Sequence, residues 1–473
     1  MFRNLKFCLK LLQIKILSLY TMKLRRRYLH GKEGVLIMKK KIVSALLIAT
    51  MMTTMFVGCG SNGDSKETAQ SASGETDDGV VTLTYWGWDS NYAWPMFEKY
   101  EETHPNVHFE ATAVEWGDML TKTQQALASG SELPTIIPMD VALIENWKDM
   151  DILEDLTDYG LDTSEYIDSA IEKATTDDGR VVGLLTCVCP SGIAYKRDLA
   201  KEVFGTDDPD ELQTMFSSYD DYIDKGADAV ADGKYMFHSG QAVAEWLYFA
   251  SDVATQNGDT LNYTDKMTDV FSKVIAMRDA GILDTYQNGT AEGNATYADD
   301  IHIFYPCPDW AITYYIEAND PDGSGNWGLI KAPVSYSHGG TALGISSSAT
   351  EEQKQAAYDF IHWAVAEQEG AEAGRDLAGF ITTYKTLTTD ANFTKRADEE
   401  FFANQDISTL LYTEIANEMN VVDSSPWENS MISVRNDLAQ QLMDDKEMTL
   451  EEALDIGREE LEQLVTDDNI TIK

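Results

Sequence analysis

Five tryptophans in this 473-residue chain have an acidic residue directly beside them, and four of these pairs are candidates for a binding site. A tryptophan side chain offers a flat apolar face, and a carboxylate accepts hydrogen bonds from hydroxyl groups. Side by side, they suit non-covalent binding of a ligand that has flat C–H patches and a polar rim. The four candidate pairs are Trp88-Asp89, Glu115-Trp116, Asp309-Trp310 and Trp427-Glu428.

Candidate ligand residues follow three predicted strands at their carboxyl ends. In open sheets of parallel strands, ligands gather at these ends. We therefore expect the candidates to meet at one rim of the sheet. The strands and the residues that follow them are 80–86 with Trp88 and Asp89, 106–114 with Glu115 and Trp116, and 135–139 with Asp140.

Packing is the alternative role for each aromatic residue. Trp86 lies inside the first strand pattern and is expected in the core, whereas Trp88 follows the strand. Trp116 could instead cover the start of the next helix through a hydrophobic contact. Trp147, Trp246 and Trp363 fall on helical faces and are expected in the core, and Gln241 is a further cleft candidate.

The chain lacks the motifs of common enzyme classes. It has no G-x-S-x-G, no P-loop and no H-E-x-x-H, and its seven histidines show no metal-ligand spacing. A pair of acids could serve a glycosidase, but the order of the motifs does not support one. We expect no catalysis, no metal and no cofactor.

Three cysteines lie in the body of the chain, too few for a disulfide framework. Cys187 and Cys189 are two residues apart, so in a strand they share a face. They could pair with Cys307, bind a metal or remain small buried thiols.

The body of the chain is strongly acidic. Residues 1–58 carry 12 Lys and Arg and one acid, which leaves 24 basic and 79 acidic residues and a net charge of −55. Such a surface repels nucleic acid and anionic membranes, and we expect no nucleic acid among the partners. The acids could favour a cationic ligand, although their scatter along helices is typical of a solvated surface.

Strands and helices alternate at the start of the body, which predicts an α/β domain with a largely parallel sheet. A helix is expected around 95–102, with Pro95 in its first turn, and another at 117–130, ending in glycine. Further along, we predict strands at 181–190, 301–312 and 339–346. Two helices should begin with capping boxes, Thr350 with Gln353 and Thr449 with Glu452.

The N-terminal segment reads as an export signal. Residues 38–58 place three lysines before a short apolar run, the layout of a signal peptide, and "FVGC" resembles a bacterial lipobox. Cys59 would then carry the lipid anchor and 59–79 would be a flexible linker. We expect residues 1–37 to be untranslated or an extra leader; a single-span anchor is the alternative to the signal peptide.

A series of motifs follows in a fixed order from residue 80 to 465. They are "TLTYWGW", "LASGSELPTII", "ILEDLTDY", "DGRVVGLL" with "GIAYKRDL", "CPDW", "GGTALGIS" with "AAYDFIHWAV", and "EEALDIGREEL". This order resembles the extracellular solute-binding proteins of ABC importers, in the sugar-binding group that includes maltose-binding protein. Two residues depart from the family pattern: Leu133 stands where the family often has glycine or a polar residue, and Ile136 stands where aspartate is common.

The resemblance implies an α/β, type II-like periplasmic-binding-protein fold. Two discontinuous lobes would close about a hinge on a ligand held between them. We place crossings between the lobes near 185–190, 333–340 and 383–390. The implied lobes are 80–186 plus 336–386 and 190–333 plus 388–473.

The family also implies a site and partners. Trp310 matches a proline-tryptophan element that stacks on sugar, and Trp427 stands where relatives often carry a late binding-site tryptophan. The expected protein is a monomeric, lipid-anchored sugar receptor on the outer face of the cell membrane, partnered by a permease. The alternatives are a receptor for another solute, such as a polyamine, and a surface glycan-binding or glycan-cleaving lipoprotein without a transporter.

Overall fold

The computed structural model describes residues 79–419 and 425–473, except for the side chain of Asp398. The predictions for 1–37, for the signal peptide 38–58, for Cys59 and for nearly all of the linker lie outside these residues. Across the described part of the chain, no helix combines the length and apolarity needed to cross a bilayer.

Twelve strands of the described residues form three sheets. They are β1 Val81–Gly87, β2 Val107–Ala113, β3 Ile136–Asp140, β4 Leu184–Leu185, β5 Pro190–Lys196, β6 Tyr235–Phe237, β7 Gln256–Asn257, β8 Thr260–Leu261, β9 His302–Pro308, β10 Trp327–Ser337, β11 Thr341–Ile345 and β12 Thr471–Ile472.

Eighteen α-helices lie among the described residues, and π-helical segments follow α11 and α15 at Ile312–Glu317 and Leu410–Ile415. The helices are α1 Ser90–Thr103, α2 Met119–Ser129, α3 Ile144–Lys148, α4 Asp168–Lys173, α5 Arg197–Phe204, α6 Pro209–Met215, α7 Tyr219–Ala231, α8 Gly240–Ala250, α9 Tyr263–Asp279, α10 Ala291–Ala295, α11 Asp309–Ala311, α12 Glu351–Ala366, α13 Gln368–Ala378, α14 Lys385–Thr388, α15 Ile407–Thr409, α16 Ala416–Glu418, α17 Glu428–Asp444 and α18 Leu450–Leu464.

The first sheet has the order β2-β1-β3-β11-β4. β1 runs parallel to β2 and β3, and β11 runs antiparallel to both β3 and β4. Four of the five strands therefore point the same way, as the strand-helix alternation predicted. Leu83, Tyr85 and Ile136 from this sheet pack in one core with Phe97 of α1 and Phe360 of α12.

The second sheet has the order β10-β5-β9-β6 and is mostly antiparallel. Its central strand β9 contains Pro306 and Pro308, which have no N–H to donate. The short strand β6 pairs with β9 only through Tyr235 and Phe237. The edge of β9 that faces β6 therefore has no ladder hydrogen bonds at Pro306 and Pro308. The predicted strand at 301–312 is thus a continuous strand that ends at Pro308 and turns into α11.

A large apolar core covers the second sheet and holds helices from the middle and the end of the chain. It contains Ile193 and Phe304 from the strands, Trp246 from α8 and Leu438 from α17. The prediction that Trp147, Trp246 and Trp363 lie in the core is confirmed, since each is buried. Both predicted capping boxes are present, at Thr350 and Thr449.

Two element predictions were wrong in their bounds. The first helix begins at Ser90, so Pro95 lies inside it rather than in its first turn. The apolar run 181–190 is not one strand. Leu184 and Leu185 join the first sheet, while Pro190 starts β5 in the second.

The reason for the division lies at Cys189, whose φ of 44° turns the chain out of the extended conformation. The apolar run indicated burial, and burial alone does not say which sheet a residue joins. Residues 186–189 thus pass from the first sheet to the second, and 338–340 return from β10 to β11. The exact lobe boundaries and the crossing near 383–390 stay predictions.

Candidate functional site

A cavity of about 540 Å³ lies between the carboxyl ends of the first sheet and the segment that follows β9. This volume is within the range of roughly 300–1,000 Å³ usual for small-molecule sites. Five of the seven residues predicted from the sequence line it. They are Trp88, Asp89, Trp116, Asp140 and Trp310.

Trp88 and Asp89 form the short connection between β1 and α1. The Asp89 backbone carbonyl accepts hydrogen bonds from the N–H groups of Tyr92 and Ala93, which fixes the connection at the start of the helix. The Tyr314 hydroxyl donates to Asp89 Oδ1 at 2.8 Å. Burial raises the pKa of Asp89, and this hydrogen bond lowers it. Asp89 thus connects the first sheet with the segment after β9.

Trp86 differs from Trp88 although it lies only two residues away. It is the sixth residue of β1, packs against a core cluster and is partly buried, with Lys122 Nζ 4.1 Å from the centre of its ring. It does not line the cavity. Trp86 thus lies within β1 and Trp88 just beyond its end, as the sequence predicted, and both rings pack against the same core cluster.

Asp140 ends β3 and caps the turn that follows, where its Oδ1 accepts the Ala142 N–H at 2.9 Å. Burial raises the pKa of Asp140 to about 6, against the lowering effect of hydrogen bonds from the Trp116 side chain and the Ala142 backbone. Trp116 therefore has a polar contact at the cavity wall. Its role is not limited to covering the following helix.

Trp310 lies in α11, the short helix that follows β9, whereas Asp140 ends β3. Its Nε1 donates to the His338 carbonyl at 2.8 Å, and its backbone N–H donates to Asp309 Oδ1 at 2.7 Å. Asp309 is fully buried. Burial raises its pKa to about 6, although the Arg396 guanidinium acts in the opposite direction. The hydrogen bond from the Trp310 backbone to the buried Asp309 carboxylate therefore fixes the position of Trp310.

Glu115 and Trp427 do not line this cavity. Glu115 is exposed and precedes the short 3-10 turn at Trp116. Trp427 is the residue before α17, and its ring packs against the core of the second sheet. Its acidic neighbour Glu428 is buried and accepts a hydrogen bond from the Tyr248 hydroxyl at 2.5 Å. Ligand contact by Glu115 and Trp427 stays a prediction.

The tertiary structure adds cavity residues that the sequence reasoning missed. The His338 ring stacks on Phe249 with centroids 4.2 Å apart, and Glu245 Oε1 lies 3.2 Å from Arg435 Nη2. Gln241, the candidate in the same helix as Glu245, instead bonds to the backbone of Asn436 and Asn288. The missed lining residues are Glu245, Phe249, Tyr314, Tyr315, His338, Phe380 and Asn436.

Glu245 carried two usable signals. It stands directly before Trp246, and its i, i+4 spacing from Gln241 places both residues on one face of a helix. The others lie on segments without a distinctive pattern. The π-helical segment that carries Tyr314 and Tyr315 is a feature often found at functional sites, but it is visible only in the structure.

The charged side chains that line the cavity are acidic. Asp89, Asp140 and Glu245 contribute carboxylates, whereas no lysine or arginine of the described chain lines the cavity. Burial lowers the pKa of His338, so its ring is neutral near pH 7. Among the described residues no group of His, Cys, Asp and Glu side chains could hold a metal ion. The arrangement can bind a ligand by stacking and by hydrogen bonds from its hydroxyl or ammonium groups.

Residues 95–403 match the family of bacterial extracellular solute-binding proteins. The chain belongs to this family. It is a family of solute-binding proteins rather than of enzymes, and its place is outside the cytoplasm. The resemblance inferred from the motifs is therefore confirmed.

Solved structures share the fold at low sequence identity. A family 1 extracellular solute-binding protein is 21% identical, with a TM-score of 0.70 over 81% of this chain and 99% of that one. A sugar-binding protein from Bifidobacterium longum is 18% identical, with a TM-score of 0.67 over 84% and 100%. One from B. animalis subsp. lactis is 17% identical, with a TM-score of 0.67 over 83% and 100%. The predicted two-lobed α/β fold is confirmed.

Proposed function

We propose that this solute-binding protein captures a mono- or oligosaccharide between its lobes and delivers it to the permease of an ABC importer. The observation that best supports this proposal is the composition of the cavity wall. Three tryptophans and three carboxylates face one space between the two sheets. Aromatic faces suit the C–H patches of a sugar ring, and carboxylates accept hydrogen bonds from its hydroxyl groups. No bond is made or broken in this function.

The structural relatives support a sugar as the ligand. The protein from B. animalis subsp. lactis is a complex with β-1,6-galactobiose, and the one from B. longum is a complex with lacto-N-biose. The lack of a lysine or arginine in the described cavity wall favours an uncharged sugar over one that carries carboxylate or sulfate groups.

The location and anchoring belong to the same proposal. A signal peptide at 38–58 would direct export, and lipidation of Cys59 would anchor the mature protein to the outer face of the cell membrane. The lobes would be 80–186 plus 336–386 and 190–333 plus 388–473, and the protein would act as a monomer. A mass measurement of the membrane-extracted protein tests the acyl group on Cys59; an unmodified chain beginning before residue 59 would contradict it.

A polyamine receptor is the second candidate, because the same three carboxylates could bind ammonium groups. Calorimetric titration against a panel of neutral sugars, with acidic sugars and spermidine as controls, separates the candidates. We expect a neutral sugar to bind and spermidine not to bind. Binding of spermidine with no response to any sugar would contradict the proposed ligand while leaving the family and fold unchanged.

A further inference from the structure

Two cysteines lie side by side at the wall of the cavity and take no part in the proposed function. Cys187 and Cys189 both line it, and their Sγ atoms are 3.3 Å apart. Both side chains are buried within the protein. A disulfide bond has a length of about 2.05 Å, so a shift of about 1 Å would bring the sulfur atoms to bonding distance.

The backbone brings the two thiols together. Cys189 has a φ of 44°, outside the extended region, and its Sγ atom lies 3.3 Å from that of Cys187. Residues 186–189 are hydrogen-bonded to the second crossing between the sheets. The Ser337 hydroxyl donates to the Val188 carbonyl at 2.6 Å, and the His338 N–H donates to the Cys189 carbonyl at 3.2 Å. The thiols are therefore kept close by the fold.

We propose that Cys187 and Cys189 form a reversible disulfide bond at the wall of the ligand cavity. The family works outside the cytoplasm, where thiols are not protected by the reducing pool of the cell interior. The oxidant is a low-molecular-weight disulfide. One cysteine thiolate attacks it, releases one thiol and forms a mixed disulfide; the second cysteine then displaces the other thiol. Two protein thiols and one small disulfide yield one protein disulfide and two small thiols.

The hydrogen bond between the two thiols and burial both raise the pKa of the Cys189 thiol. Either cysteine can supply the first thiolate, and the other then completes the exchange. Thiolates rather than thiols react with disulfides, so the reaction should be faster at mildly alkaline pH. Cys307, which contacts the Pro308 carbonyl from β9, is not among the residues that line this cavity.

Tryptic mapping of the full chain tests the proposal directly. Cleavage after Arg180 and Lys196 gives peptide 181–196, which contains Cys187 and Cys189, whereas Cys307 lies on peptide 279–331. The folded protein is treated with oxidised glutathione, quenched with acid, unfolded and alkylated without reduction. We expect most of peptide 181–196 to carry no alkyl group and to be two hydrogen atoms lighter than the peptide with two free thiols, and to gain two alkyl groups after dithiothreitol.

The C189S variant provides the matched control. It should trap glutathione on Cys187 as a stable mixed disulfide, because the second thiol is missing. Two alkylated cysteines in the oxidised wild-type peptide, or a cross-link from Cys307 to either cysteine, would overturn the proposal.

A second measurement tests whether the fold, rather than the short spacing of the two cysteines in the sequence, promotes the disulfide bond. The ratio of oxidised glutathione to the square of reduced glutathione, [GSSG]/[GSH]², is compared at half oxidation for the native protein and for the chain in urea. If the fold holds the sulfur atoms together, the native protein needs a ratio lower by about fivefold or more. An equal or higher ratio would overturn the claim that the structure promotes the bond. Neither result depends on the identity of the ligand, so it is distinct from the test of sugar binding.

Discussion

At the residue scale, the cavity relies on aromatic and acidic side chains that approach from both sheets. Trp88 and Asp140 come from strand ends of the first sheet, while Trp310 and Tyr314 come from the segment that follows β9. A ligand that contacts both groups would stabilise the closed arrangement. The roles of single residues can be separated because some tryptophans lie outside the cavity.

Trp310→Ala should weaken sugar binding by about 2 kcal/mol, roughly 30-fold, because a buried aromatic contact at the centre of a site carries much of the binding energy. Calorimetry with the sugar that binds best in the panel measures the change. Trp427→Ala is the matched control, since this ring packs against the core of the second sheet and should change affinity less.

Thermal unfolding of both variants shows whether either is misfolded. The structure-based ranking would be contradicted if Trp427→Ala lost as much affinity as Trp310→Ala, and the original prediction of a ligand role for Trp427 would then hold.

Asp140 should make binding sensitive to pH. Burial raises its pKa to about 6, and a sugar hydroxyl that donates to the ionised carboxylate lowers the pKa in the complex. The affinity for the sugar is therefore highest at pH values above about 6, and it falls as the pH is lowered through this value. Calorimetry between about pH 5 and 8 measures the effect.

Asp140→Asn should bind more weakly at neutral pH and lose much of this slope. Asp89, whose pKa burial also raises, contributes in the same direction, whereas burial lowers the pKa of His338 and keeps it neutral. Glu245 is ion-paired with Arg435. A variant with the full pH dependence of the wild type would show that Asp140 is not the responsible group.

At the element scale, the turns between the sheets decide the shape of the cavity. Gly339 and Gly340 connect β10 to β11 with φ values of 101° and 112°, where residues with a side chain are strained. The Nε1 atom of Trp310 lies 2.6 Å from the position that a Cβ on Gly339 would take. The turn thus leaves room for the tryptophan.

Gly339→Ala should lower both stability and sugar affinity, because the new methyl group would displace Trp310. Gly325→Ala is the control: its φ is 83°, but a Cβ there has no neighbour within 4 Å. Each variant should lose about 1–3 kcal/mol of stability through backbone strain. Only Gly339→Ala should lose affinity, and equal affinities in calorimetry would contradict this reading of the turn.

Several elements followed directly from local sequence. The capping boxes at Thr350 and Thr449 were predicted correctly because the cap involves residues only three apart. The glycine end of α2, at Gly130, was correct for the same reason. The start of α1 and the division of 181–190 were not, since those depend on contacts with other parts of the chain.

At the scale of the whole molecule, the two sheets are joined across the cavity by the bond between Tyr314 and Asp89. Its partners are 225 positions apart in the sequence. A hydrogen bond to a charged group contributes about 1.5–3 kcal/mol, which is enough to shift an equilibrium between open and closed lobes.

Tyr314→Phe should therefore open the protein in the absence of sugar. Small-angle X-ray scattering should show a larger radius of gyration than for the wild type, and added sugar should reduce the difference. Tyr286→Phe, a change on the exposed surface, is the control. Identical scattering of Tyr314→Phe and the wild type without sugar would contradict a role of this bond in closure.

The sequence by itself determined the strand-helix order, the buried helix faces, the caps and five residues of the cavity wall. These features depend on neighbours along the chain or on the rule that parallel strands gather ligands at their carboxyl ends. Only the tertiary structure brought Glu245, Tyr314 and His338 to the same cavity and placed Glu115 and Trp427 outside it. Their positions depend on how two sheets built from distant segments pack, and the spacing of residues along the chain carries little information about such packing.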